Sequence, residues 1–130
     1  MQARKINHMP IIYIAFVALI SMFAEDLNDK IARNMKEGNA SELTTSFNNS
    51  IELSIMGKEE TYSKTQAEMI MKDFFSKSKP SNFSIARKGV SDPATKFING
   101  KLETTAGIYK VYILMKSNSG SFLITELRIE

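Results

Sequence analysis

The chain reads as an α+β domain: a curved antiparallel sheet of about four to six strands wrapped on one long helix, with shorter helices ahead of it. Three observations predict this. Apolar residues recur at three- and four-residue steps in two early stretches, alternate with polar residues in later ones, and are separated by Gly, Pro, Asn and Asp clusters.

The first helix is predicted from Leu27, Ile31 and Met35, with Asp26 and Asp29 in its opening turn and Gly38 directly after Lys36 and Glu37. A short second helix follows, capped by Asn39 with Glu42 three residues on. Leu43 and Phe47 share one face of it, and Asn48-Asn49-Ser50 is expected to end it. Ile51, Leu53 and Ile55 alternate with Glu52 and Ser54, which is a strand with one wet face, and Gly57-Lys58 turns it into a brief partner ending at Tyr62. The long helix opens on a capping-box pair, Ser63 and Gln66. It carries Ala67, Ile70, Met71, Phe74 and Phe75 as one apolar stripe and is closed by Pro80. Four strands complete the chain, separated by Asp92-Pro93, Ala106-Gly107 and Asn118-Ser119-Gly120.

Treating Asn118-Ser119-Gly120 as a three-residue loop, with Gly120 left-handed, sets Leu114 opposite Ile124. Tyr109, Val111, Ile113 and Met115 then share the core face with Leu123, Thr125, Leu127 and Ile129. The other face carries Lys110, Tyr112, Leu114, Lys116, Phe122, Ile124, Glu126 and Arg128, apolar in the middle and charged at the edge. Tyr112, Leu114, Phe122 and Ile124 are therefore the candidate interface for a homodimer or another partner. The competing expectation is that the N-terminal segment of the chain itself covers them.

Residues 1–24 read as an export signal. Arg4 and Lys5 give a positive start, Ile11 to Ala24 gives an apolar run shorter than the roughly 20 residues that span a bilayer, and Ala24 precedes acidic Glu25 and Asp26. Cleavage is expected after Ala24, although Met22 is large for its place in such a site. A periplasmic or secreted product of residues 25–130 follows, and the membrane becomes a partner only if the signal stays attached. Of 17 Lys and Arg, Arg4 and Lys5 leave with the signal, so the remainder nearly balances the 14 Asp and Glu. A near-neutral domain with scattered lysines gives no electrostatic reason to bind nucleic acid.

The chain has no Cys, and its one His, His8, lies in the signal. The expected mature domain thus lacks imidazole and thiol for nucleophilic, acid-base or zinc chemistry. The six glycines make no phosphate-cradling loop and no calcium-loop spacing occurs, so no cofactor or metal is expected. Glu52 and Glu126 alternate with apolar residues and read as solvated, as does Asp73 on the flank of the helix stripe. Candidate pocket residues are Tyr62 and Tyr109, for their hydroxyls, and Arg128, whose fork of donors suits an anion.

Several stretches carry a resemblance to an uncharacterised family of small exported proteins from Gram-negative bacteria, within the cone-shaped folds of the nuclear transport factor-like superfamily. They are Lys36-Glu37-Gly38-Asn39-Ala40, Ile51-Glu52-Leu53, Tyr62-Ser63-Lys64, Lys72-Asp73-Phe74-Phe75, Lys79-Pro80, Tyr109-Lys110-Val111-Tyr112 and Leu127-Arg128-Ile129-Glu130. The resemblance implies a cone-shaped single domain over residues 25–130, often with a pocket in the cone and often paired through the outer face of its sheet. Relatives in the superfamily include isomerases and dehydratases with acids or histidines inside the cone, and this chain departs from them in having no histidine there. Two readings result. One is a non-enzymatic exported module that binds a small ligand, an envelope protein or its own copy. The alternative is a cone-pocket enzyme using a buried carboxylate and a tyrosine such as Tyr62 or Tyr109.

Overall fold

The computed structural model describes residues 25–130, so the expected signal and its cut after Ala24 lie outside the described residues. Helix α1 (Leu27–Glu37) buries Ile31 and Met35, and Gly38 ends it at φ 63°, a left-handed conformation that glycine adopts without a Cβ penalty. Asn39 then caps α2 (Ala40–Thr44), its Oδ1 accepting the Glu42 N–H at 3.1 Å. Strand β1 (Phe47–Ile55) starts four residues earlier than the alternation signals, and Asn48-Asn49-Ser50 lies inside it rather than ending a helix. The turn propensity of those residues is overridden by pairing: Phe47 sits beside Ile124, whose N–H donates to the Ser46 carbonyl at 2.7 Å.

Met56 and Gly57, both left-handed at φ 52° and 85°, make a two-residue turn into β2 (Lys58–Ser63). The capping box then launches α3 (Lys64–Lys77). Gln66 N–H donates to Ser63 Oγ at 3.2 Å and Ser63 N–H donates to Gln66 Oε1 at 3.1 Å. Pro80 opens β3 (Pro80–Asp92), where a missing N–H removes no ladder bond from the strand interior. An antiparallel meander through β4 (Thr95–Thr104), β5 (Gly107–Asn118) and β6 (Ser121–Ile129) completes the fold.

Six strands form one sheet in the order β2-β1-β6-β5-β4-β3. One pairing departs from the expected antiparallel sheet: β1 and β6 run parallel, with Leu53 beside Leu127 and Ile55 beside Ile129. This follows from connectivity, because α3 carries the chain across before the meander returns to the free side of β1. Helix α3 packs on β1 and β2 and α1 packs on β3 and β4, both over the same sheet face. The single core between these layers contains Ile31, Met35, Leu43, Leu53, Met71, Ile98, Leu102, Ile113 and Leu127, all at or below 1% exposure. Edge strand β3 has three register shifts along its length, which bend it and break the regular row of groups an edge would offer a foreign strand.

The last hairpin corrects the expected register. Ser119 and Gly120 are both left-handed, at φ 61° and 90°, so the loop has two residues and pairs Asn118 with Ser121. Met115 therefore lies opposite Ile124, and Leu114 opposite Glu126, with Thr125 bulged between. The bulge restores the expected facing of Leu127 and Ile129 toward the core and of Glu126 and Arg128 away from it. Before the bulge the facing is inverted. Ile124 is fully buried in the core, Phe122 packs against the core, and Leu123, beside Lys116, turns outward.

Candidate functional site

A pocket of about 560 Å³ opens where the C-terminal half of α3 meets the β1–β2 hairpin and the start of β5. Leu53 and Ile55 of β1 and Ile70 and Phe74 of α3 supply apolar wall, because these residues continue the inward faces of their elements past the packed core. Met56 and Met69 add to it while remaining 64% and 68% exposed, and they account for two of the four large apolar side chains that the described residues leave exposed.

Polar groups are few. The Tyr109 ring packs edge-on to Phe74 with centroids 5.5 Å apart, and its hydroxyl lies 3.5 Å from the buried Ser78 Oγ. Tyr62 lines the same pocket, and partial burial together with the neighbouring Glu60 carboxylate holds its hydroxyl protonated above its ordinary range. Lys58, Asp73 and Lys77 complete the lining, all three exposed, with Lys77 Nζ 3.0 Å from Asp73 Oδ2. Among the described residues no carboxylate is buried, and Asp73, the acid lining this pocket, is 62% exposed.

Tyr62 and Tyr109, named from the sequence, thus line one pocket. Arg128 does not: Leu127 and Ile129 point inward, so it lies on the far side of the sheet, 3.3 Å from Glu126 and 3.8 Å from Glu59. Glu52 joins these acids. Its parallel pairing with Glu126 and the closeness of β2 bring the carboxylates of Glu52, Glu59 and Glu126 within 4.8 Å of one another. The hydrogen bond and charge of Glu59, with lesser contributions from burial and Glu126, raise the Glu52 carboxyl above its ordinary value, and Arg128 partly opposes this. Three such oxygens could share one cation, but Arg128 already gives them a positive partner. Glu59 carried no sequence signal, since its place depends on strand pairing. Of the candidate interface, Tyr112 and Leu114 lie on the outer face as expected, while Ile124 and Phe122 do not. Phe97, opposite Leu114 on β4, joins Leu114 in the outer apolar strip.

Helices laid on one face of a curved six-stranded sheet, with an open pocket between α3, the β1–β2 hairpin and β5, define a cone fold of the nuclear transport factor-like kind. The chain belongs to the DUF4783 family, a domain of unknown function, whose model matches residues 28–130. A DUF4783 family protein from Bacteroides uniformis is 27% identical, with a TM-score of 0.78 over 81% of this chain and 96% of that one. Its counterpart from Bacteroides ovatus is 28% identical, with a TM-score of 0.74 over 77% of this chain and 90% of that one. An NTF2-like protein of unknown function from Cytophaga hutchinsonii shares the fold at 10% identity and a TM-score of 0.56, over 78% of this chain and 82% of that one. None of the curated proteins matches the chain.

Proposed function

We propose that the protein is an exported, non-enzymatic module that binds a small, largely apolar ligand in the cone pocket. The observation that carries this reading is the pairing of Met56 and Met69 at the pocket mouth, both exposed where a solvated surface would favour polar residues. Met56 also occupies a left-handed position, φ 52°, that costs a non-glycine residue about 1–2 kcal/mol and that Asn or Gly fills more readily. Export rests on the signal-like residues 1–24 alone, and among the described residues no helix is long and apolar enough to cross a membrane. Asp73, the acid that lines the pocket, is exposed and ion-paired with Lys77, which weighs against a buried carboxylate acting there.

Titration with Nile red, a neutral apolar dye, tests the reading. One saturable site per chain is expected, weakened at least tenfold in the Met56→Asp/Met69→Asp double variant, whose exposed positions leave folding intact. Equal affinity in both proteins would overturn it.

A second reading rests on the outer sheet face. Phe97 and Leu114 lie side by side there with Tyr112 two residues along β5, all half-buried in the isolated chain, and we propose that this strip pairs two copies. Mass in solution for wild type and Leu114→Asp tests it: a dimer converted to monomer is expected, and two monomers would end the reading.

A further inference from the structure

We propose that the natural occupant of the cone pocket is a single-chain amphiphile with one carboxylate, its tail along the apolar wall and its head at Lys58. This rests on the pocket-binding reading above and adds the ligand's shape and charge. Beside the Phe74 ring much of the wall is aliphatic and flexible: Ile55, Ile70, Met56 and Met69 offer methyl and thioether surface that remodels around an unbranched chain. The cavity of about 560 Å³ is open to solvent and its charged lining residues, Lys58, Asp73 and Lys77, are all exposed, so a polar head beside them stays wet while the tail enters.

Charge sets the sign of the head. Lys77 and Asp73 are 3.0 Å apart and cancel each other. Lys58 lines the pocket without an ion-pair partner among the described residues, and Glu60, two residues along the same face of β2, is engaged by the Tyr62 hydroxyl, so Lys58 is the cation open to a ligand's carboxylate. Inside, Ser78 Oγ and Tyr109 hydroxyl share only one long contact of 3.5 Å, so a donor remains available to an acceptor oxygen. The exposed ammonium of Lys58 matches a carboxylate and disfavours a quaternary ammonium.

Calorimetric titration of the full chain with decanoate and with decyltrimethylammonium, both below micelle formation, tests this. The Met56→Asp/Met69→Asp variant serves as the reference that isolates heat from the pocket. Decanoate is expected to bind about tenfold tighter than decyltrimethylammonium, the scale of one partly exposed ion pair formed against one like-charge contact. Lys58→Glu, an exposed substitution that leaves the fold intact, is expected to abolish or reverse that preference. If both amphiphiles bind the pocket equally, or if Lys58→Glu leaves the preference unchanged, the carboxylate assignment is wrong while the pocket reading stands. If neither amphiphile gives pocket heat, and Nile red also fails to distinguish wild type from the double variant, the pocket reading falls with it.

Discussion

Ile124 lies directly opposite Met115 across β5 and β6, both fully buried, where a three-residue loop over Asn118-Ser119-Gly120 would have set Ile124 against Leu114 on the outer face. The two registers assign opposite fates to neighbouring side chains. Ile124→Ala is expected to destabilise the fold by about 2–5 kcal/mol, the cost of a core cavity. Leu123→Ala, on the outward side, is expected to cost under about 1 kcal/mol. Chemical denaturation of the two variants checks this, and equal losses would contradict the two-residue turn that pairs Asn118 with Ser121.

Met56 predicts a trade between stability and binding. Met56→Asn places a residue suited to the left-handed position before Gly57, so unfolding free energy should rise by about 1 kcal/mol. Removing the thioether should weaken Nile red binding in the same protein. A variant that gains stability and keeps full affinity would show that Met56 does not contact the ligand.

Asn34 is buried at 0% exposure in the last turns of α1, and neither its Nδ2 nor its Oδ1 has a hydrogen-bond partner among the described residues. An unsatisfied buried amide costs about 1–3 kcal/mol. Asn34→Leu, close in shape and without polar atoms, should therefore raise the melting temperature. A lowered one would show that the amide is satisfied in solution.

Glu52 predicts a pH signature. Its carboxyl is raised above the ordinary 4.5 mainly by Glu59, so the folded state holds this proton more tightly than the unfolded state does. Stability from this group is therefore present below about pH 4.5 and is lost as pH rises through the raised folded value. Glu52→Gln should remove that loss, making the variant more stable than wild type at pH 7, with the gap closing on acidification. Denaturation at several pH values checks it, and a constant gap would exclude the carboxylate cluster as its source.

Local chemistry was legible in the chain. The Ser63–Gln66 capping box, the Asn39 cap and the Gly38 stop each act within four residues, so their outcome depends on little else. The alternation from Val111 to Met115 likewise fixed which side of β5 is buried. What escaped was set by partners distant in sequence. Asn48-Asn49-Ser50 lies within a strand because Phe47 and Glu52 on either side of it pair with Ile124 and Glu126 of β6 and Ser50 pairs with Ser63 of β2, and the bulge at Thr125 reconciles a two-residue turn with the Leu127 and Ile129 positions that β1 requires. In the pocket, Tyr62 and Tyr109 could be named for their hydroxyls, but their shared location depends on the cone closing. Met69 lies off the buried stripe of α3 and reads as ordinary surface until the β1–β2 hairpin is placed opposite it.

The central claim, an apolar ligand site at the cone mouth, is tested most directly by carbon-13 methyl spectra of methionine-labelled full chain titrated with 1-octanol. Saturable shifts at Met56 and Met69 are predicted, while Met35 and Met115 in the packed core stay fixed. Unmoved Met56 and Met69 signals at saturating octanol would contradict it.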